Sequence, residues 1–125
     1  DYTYSFRALS NYCISTDAIE NEKLRDMFID RAGLDQWLQR YRARLLAENS
    51  DDDQRQRSMK LSNPKFVLRN YLAQQAIAAA EDQDFNEIER LFTILREPYA
   101  EQAEFESYAA QPPEWAHTIS VSCSS

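Results

Sequence analysis

The stretch LSNPKFVLRNYLAQQAIAAAEDQDFNEIERLFTILREPY, residues 61–99, decides the fold class of this chain. Its first half carries large apolar residues and alanines at helical spacing, which predicts a long helix with one broad apolar face. Ser62 or Asn63 is the expected cap of this helix, and Pro64 the expected first-turn residue. The first half of the stretch therefore predicts a helix that begins near Ser62.

A second helix is predicted directly after the polar DQD sequence at 82–84. Asp84 is followed three residues later by Glu87, which matches a capping box at a helix start. The apolar residues that follow again have helical spacing, and Pro98 ends the helix because the residue before a proline avoids the α region. The two helices together predict an antiparallel αα-hairpin, and residues 100–111 predict one further short helix after it.

Helical spacing also extends upstream of this hairpin. Residues 1–13 predict a short helix, and residues 22–49 predict a long amphipathic helix. Its apolar stripe consists of Leu34, Trp37, Leu38, Tyr41 and Leu45. Residues 49–61 are polar and charged, so we expect an exposed loop or a frayed helical turn there. We place both Trp37 and Trp115 in the core.

Glycine is nearly absent from the chain, and this absence excludes several fold classes. Gly33 is the only glycine among 125 residues. Hairpin turns, dinucleotide-binding turns and phosphate-binding loops all depend on glycine, so a β-sandwich, a Rossmann fold and a P-loop are not expected. With 43% hydrophobic residues, the chain has enough material for one core. We predict an all-α fold and a single helical domain over residues 1–125.

Charge and hydropathy argue against two classes of partner. The net charge is −7, although residues 31–69 carry nine basic and five acidic side chains. A nucleic-acid module is normally basic overall and has a recognisable motif, so we expect no nucleic-acid binding. No apolar run approaches the roughly 20 residues of a membrane-spanning helix, so we expect no membrane insertion.

The chain offers little material for catalysis or metal binding. It contains two cysteines, far apart, and one histidine, so neither a disulfide framework nor a zinc cluster is expected. His117 has no nucleophile or paired carboxylate nearby in sequence, and we expect it on the surface. The carboxylates of residues 97–106 indicate a solvated helical face rather than a metal site.

Arg69 and Asn70 stand within the apolar face of the predicted long helix. A buried charge without a partner is prohibitive, so these two side chains need either solvent or specific partners. Two roles remain open for them. They form a helix cap or a bridge between helices, or they make contacts with a further domain of the protein.

The last nine residues change their pattern. Ile119, Val121 and Cys123 alternate with serines, which is the spacing of a strand. We expect residues 117–125 to form an extended tail that docks rather than hangs free, with Cys123 on its apolar side.

Several long strings of this sequence resemble one known family. NPKFVLRNYLAQQAI, REPYAEQAEFESYAAQPPEWA and the closing VSCSS are similar to the C-terminal part of selenoprotein O proteins. DYTYSFRALS and DRAGLDQWLQRYRARL resemble the stretch that precedes it, so the resemblance covers nearly the whole chain. It implies a larger parent with a kinase-like fold that transfers AMP from ATP to Ser, Thr or Tyr hydroxyls of proteins.

The resemblance also implies where the chemistry lies. ATP and a divalent metal, Mg²⁺ or Mn²⁺, would bind the parent's kinase-like domain upstream, and nothing in residues 1–125 matches the family's catalytic motifs. The partners implied are that upstream domain and the parent's protein substrates. The absence of an export signal favours a bacterial cytoplasm. A helical protein-interaction module with no link to nucleotide transfer is the alternative function.

Cys123 occupies the place that selenocysteine or cysteine takes in this family. Ser120 stands where the second cysteine of the family's redox pair would be, so a local Cys-x-x-Cys pair is impossible here. The resemblance implies instead a regulatory disulfide between Cys123 and a cysteine of the kinase-like domain. A tail cysteine that only packs remains the alternative. Cys13 has no role in the family pattern, and we expect free thiols in the isolated chain.

Overall fold

The computed structural model describes residues 2–14 and 19–118, and the regular structure in these ranges is helical, without strands. This confirms the predicted all-α fold class. Short 3₁₀-helices span Ala103–Phe105 and Glu114–Thr118. The α-helices are α1 (Tyr2–Leu9), α2 (Ile19–Asp26), α3 (Arg31–Ala47), α4 (Asp52–Ser62), α5 (Asn70–Glu81), α6 (Asn86–Leu95) and α7 (Glu106–Ala109).

The chain divides into two compact units. Unit 1 is Asp1–Asn63 and unit 2 is Pro64–Ser125. Each unit has buried apolar clusters of its own. The division falls between the end of α4 and the start of α5, within the stretch that predicted the beginning of a long helix. The single helical domain expected over residues 1–125 stays a prediction, because two compact units can belong to one domain.

The core of unit 1 forms where α1, α2 and α3 meet. Tyr12, Leu24, Leu38 and Leu45 are buried together, and α2 packs against both α1 and α3. Leu38 and Leu45 are separated by two turns of α3 and therefore lie on the same face of the helix. The part of the predicted apolar stripe that contains Leu38 and Leu45 therefore faces the core.

The helix predicted over residues 22–49 is interrupted between Asp26 and Arg31, because Asp30 starts a new helix. Its carboxylate accepts a hydrogen bond from the Gly33 amide at 2.9 Å, which caps α3. A Cβ atom on Gly33 would lie only 2.4 Å from the Asp30 carboxylate. The only glycine of the chain therefore gives room to a helix cap.

Residues 52–62 form helix α4, so the loop expected over 49–61 is wrong for most of its length. Asp51 caps the helix by accepting a hydrogen bond from the Gln54 amide at 2.8 Å. At the other end, the Arg7 guanidinium donates to the carbonyls of Lys60 and Asn63 at 2.8 and 2.9 Å. The helix has no buried residue, so these polar contacts stabilise a segment that apolar spacing could not reveal.

Helices α5 and α6 of unit 2 pack against each other, as the predicted αα-hairpin requires. Tyr71, Leu72 and Ala76 of α5 are buried with Leu91 of α6. Helix α5 ends in a Schellman motif, in which the amide of residue 84 donates to the carbonyl of residue 79 and the amide of residue 83 to that of residue 80. Gln83 takes the left-handed conformation, with φ 66°, that glycine usually fills.

The segment before α5 is not helical, which corrects the predicted start at Ser62 or Asn63. Ser62 is the last residue of α4, and Asn63 is its C-terminal cap. The amides of Lys65 and Phe66 both donate to the Pro98 carbonyl, at 2.9 and 3.1 Å. This clamp holds Phe66 in the core at 2% exposure, and the helix begins only at residue 70.

The capping box predicted at the start of α6 does not form. The Asp84 carboxylate accepts a hydrogen bond from the Asn86 amide at 3.1 Å, and Phe85 holds the cap position. The Glu87 carboxylate instead accepts hydrogen bonds from Arg90 and from the Tyr108 hydroxyl. This polar cluster ties α6 to the short helix α7.

The C-terminal part of the described chain is compact. Residues 103–109 form the short helix that we predicted, as a 3₁₀ turn followed by α7, and Ala109 is buried. His117 is exposed, as expected, but it belongs to the 3₁₀-helix Glu114–Thr118 rather than to an extended tail. Residues 119–125, the rest of the predicted tail, lie outside the described residues.

Candidate functional site

Unit 1 has an open apolar groove between α1, the end of α2 and α3. Its volume is about 380 Å³. The groove is lined by Ser5, Phe6, Leu9, Leu24, Phe28, Asp30, Leu34 and Trp37. We refer to this set of residues as the unit 1 groove.

Aromatic side chains form the outer walls of the unit 1 groove. Phe6 lies against Tyr2, with ring centroids 4.5 Å apart, and it is 37% exposed. Trp37 stacks on Tyr41 at 5.1 Å and remains 42% exposed. Phe28, on the connection between α2 and α3, is 36% exposed. The groove is therefore lined by large rings that the rest of unit 1 covers only in part.

The floor of the groove is apolar, and its few polar groups are poorly suited to bind a polar ligand. Asp30 is the only charged residue among the described residues of the lining, and its carboxylate already accepts the Gly33 amide. The other polar groups of the described lining residues are the Ser5 hydroxyl and the Trp37 indole N–H. Small-molecule sites usually carry several convergent polar groups that orient the ligand. The groove is therefore suited to apolar side chains.

Trp37 shows what sequence reasoning missed at this surface. We predicted both tryptophans in the core, but Trp37 and Trp115 are 42% and 54% exposed. The apolar stripe on α3 contains more residues than the helix buries, since only Leu38 and Leu45 of α3 are buried. Helical spacing identifies the apolar face but not which part of it a neighbour covers, so no signal in the sequence separated Trp37 from Leu38.

Arg69 and Asn70 lie at the start of α5. Arg69 occupies the cap position with an extended backbone, and Asn70 is the first residue of the helix and is exposed. The Arg69 side chain does not cap the helix, because a guanidinium has no hydrogen-bond acceptor for the amides. Partial burial lowers the pKa of Arg69 from its ordinary value. The structure places the two residues next to each other at one end of α5.

The structure describes one of the two cysteines, Cys13. Cys123 lies outside the described residues. Cys13 is a free thiol that is partly buried in unit 1. Its sulfur lies 3.2 Å from Nε2 of Gln56 and 3.5 Å from the Asn11 carbonyl, so it packs between the end of α1 and α4.

The acidic segment 97–106 binds a lysine rather than facing only solvent. The Nζ atom of Lys65 lies within hydrogen-bond distance of Glu101 and Glu106, while the lysine side chain is only 14% exposed. Burial lowers the pKa of Lys65, but the hydrogen bonds to the two carboxylates outweigh it, so the net shift is upward. These carboxylates hold the Pro98 turn against the segment before α5.

The described ranges contain neither a metal-binding cluster nor a membrane-spanning helix. Among residues 2–14 and 19–118, no three His, Cys, Asp or Glu side chains lie close enough to hold a metal ion. In the same ranges, no helix has the length and hydropathy needed to cross a membrane.

Comparison with known proteins relates this chain to one family. The family model described as protein adenylyltransferase SelO matches residues 1–96. Proteins named protein nucleotidyltransferase YdiU match all 125 residues. They include those of Yersinia pseudotuberculosis serotype O:1b (strain IP 31758) and Herminiimonas arsenicoxydans, each 51% identical, and of Burkholderia vietnamiensis (strain G4 / LMG 22486), 52% identical.

The matches cover this chain completely but the relatives only in part. The chain spans 25% of the Yersinia and Herminiimonas proteins and 24% of the Burkholderia protein. The family model alone covers more than three quarters of the chain. The resemblance inferred from the sequence strings is thereby confirmed. This chain belongs to the SelO family of protein adenylyltransferases.

Proposed function

We propose that this chain is the C-terminal helical region of a protein adenylyltransferase, and that it packs on the parent's kinase-like lobe. The parent transfers AMP from ATP to Ser, Thr or Tyr hydroxyls of other proteins. The observation that carries this proposal is the match over all 125 residues to nucleotidyltransferases of which this chain spans only 25%. A segment that matches throughout its length, at 51% identity, belongs to the same architecture as its relatives.

We place the binding of ATP and the divalent metal in the part of the parent outside residues 1–125. Protein carboxylates and substrate phosphates usually share such a metal, and the resemblance to the family places the residues that bind it upstream of this chain. The metal would neutralise phosphate charge during transfer. This region contributes helices and contact surfaces, with Arg69 and Asn70 as proposed contacts to the kinase-like lobe.

We further propose that Cys123 forms a reversible disulfide with a cysteine of the kinase-like domain. Two thiols give up two protons and two electrons to an oxidant such as a peroxide, and a dithiol reductant reverses the step. The oxidised parent would be the less active form. Support for this role comes from the position of Cys123 in the resemblance to the family. We place the parent in the bacterial cytoplasm, where reductants are abundant.

The proposal is tested with the full-length parent and ATP labelled at either the α-phosphate or the γ-phosphate, with and without reductant. We expect protein to acquire the α-label but not the γ-label, and to acquire more of it after reduction. Cys123→Ser should make transfer insensitive to reductant. Cys13→Ser is the matched control, and it should leave the reductant effect unchanged.

Other outcomes separate the parts of the proposal. Transfer of the γ-label would mean kinase activity, and transfer of neither label would favour the alternative of a helical protein-interaction module. A Cys123→Ser parent that responds to reductant as strongly as the unmodified protein would exclude the disulfide while leaving adenylyl transfer intact.

A further inference from the structure

Several large apolar side chains at the unit 1 groove are exposed to solvent. Phe6, Phe28 and Trp37 each keep more than a third of their surface exposed at its walls. Exposed apolar side chains also stand next to it, where Tyr2 is 78% exposed and Ile29 fully exposed. A contiguous apolar patch of this kind marks a contact surface.

We propose that the unit 1 groove is the site where an apolar segment of the parent polypeptide, from outside residues 1–125, packs against this region. This inference rests on the part of the proposed function in which the region packs on the rest of the parent. It specifies the surface that makes the contact and the chemistry of the segment that fills it. That segment contributes aliphatic or aromatic side chains and no charge.

The length of polypeptide outside residues 1–125 favours an occupant from the same polypeptide. The curated relatives carry about three quarters of their length outside the segment that this chain matches. Tethering makes such a contact effectively intramolecular, so it forms without the entropic cost of bringing two molecules together.

Other classes of occupant fit the unit 1 groove less well. Among the described lining residues, a polar cofactor would find only the Ser5 hydroxyl, the Trp37 indole N–H and an Asp30 carboxylate that already accepts a hydrogen bond. A second copy of the chain would have to be brought from solution, at an entropic cost that a tethered segment avoids. An apolar segment of the same polypeptide meets neither obstacle.

The test measures thiol accessibility in the full-length parent. Phe6→Cys and Phe28→Cys place a thiol on two different elements that line the groove, and each variant serves as a check if the other folds poorly. Leu61→Cys on α4 and Leu46→Cys on α3 are matched controls, because these leucines are 75% and 52% exposed and do not line the groove. The rate of maleimide labelling at each site is measured by peptide mass spectrometry in the native protein and in urea.

We expect the thiols introduced by Phe6→Cys and Phe28→Cys to react about tenfold or more slowly in the native parent than in urea, because covered thiols react only after local opening. The thiols of the two control variants should be slowed much less. Groove thiols that label as fast as the controls would overturn the proposal, and so would controls that are equally protected.

Two further results would assign the groove to another occupant and also overturn the proposal. Protection that disappears on dilution would indicate a second copy. Protection that disappears when a small molecule, detected by native mass spectrometry, is removed would indicate a bound ligand. Since labelling does not depend on nucleotide transfer, protection without α-label transfer would reject the proposed activity alone, and transfer without protection would reject the groove alone.

Discussion

Arg55 is the residue whose removal should destabilise unit 1 most selectively. Its side chain is only 9% exposed. The guanidinium donates to the Tyr12 carbonyl at 2.7 Å and the Ser50 hydroxyl at 2.9 Å, and it forms an ion pair with Asp52. The Asp52 carboxylate in turn accepts the Ile14 amide at 3.1 Å. One side chain thus joins the start of α4 to the segment that follows α1.

We predict that Arg55→Met lowers the free energy of unfolding by about 2–3 kcal/mol. Breaking a buried ion pair costs roughly 3–5 kcal/mol, and we reduce this figure because Asp52 is 28% exposed and regains some water. Methionine keeps most of the length of the aliphatic part of the arginine side chain. The fall in the free energy of unfolding therefore reports mainly on the lost polar contacts. For a unit of the size of Asp1–Asn63, the change corresponds to a fall in Tm of roughly 15–23 °C.

The assay is urea unfolding of the chain, followed by far-UV circular dichroism. Arg57→Met is the matched control, since Arg57 lies on the same helix and is exposed, and it should change the free energy by less than about 0.5 kcal/mol. A double-mutant cycle with Asp52→Asn should give a coupling above about 1 kcal/mol. Equal effects of the two arginine variants, or additive effects in the cycle, would refute the reasoning.

Two further predictions concern backbone strain and pH. Gln83→Gly should stabilise unit 2 by about 0.5–1 kcal/mol, because Gln83 holds a left-handed conformation at φ 66° that glycine adopts without strain. Asn49→Gly, at φ 52°, should stabilise less, since asparagine tolerates this region, and equal gains in urea unfolding would contradict the argument. Burial raises the pKa of Tyr12 above 10.0, so the folded state favours the neutral phenol. The resulting stability is present below about pH 10 and lost as the pH rises through the folded-state pKa, and Tyr12→Phe should flatten this loss in unfolding measured across that range.

The sequence indicated the family of this chain but not the surface that the groove presents. The long sequence strings were enough to identify the family, because identity over many positions does not depend on knowing contacts. They did not indicate that Phe6, Phe28 and Trp37 would share one groove. That arrangement depends on how α1, α2 and α3 pack together, and residues 6 and 37 lie about 30 positions apart in the chain.

The sequence by itself determined the all-α class and the αα-hairpin. Both follow from local properties: helical spacing of apolar residues, and a single glycine in the chain. Local signals were misleading at the ends of elements. The capping box at Asp84 was a correct sign of a helix start but an incorrect account of its contacts, because Glu87 finds Arg90 and Tyr108 instead.

Only the tertiary structure decided where α4 ends and where α5 begins. The end of α4 is bound by Arg7, whose carbonyl partners lie 53 and 56 residues away, and the segment before α5 is held by the Pro98 carbonyl, more than 30 residues away. Contacts at such separations leave no periodic signal in the sequence, because spacing reports only on neighbours along the same element. The start of α4 has a local cause, the Asp51 cap, whereas the end of α4 and the non-helical segment 64–69 depend on contacts that only packing supplies.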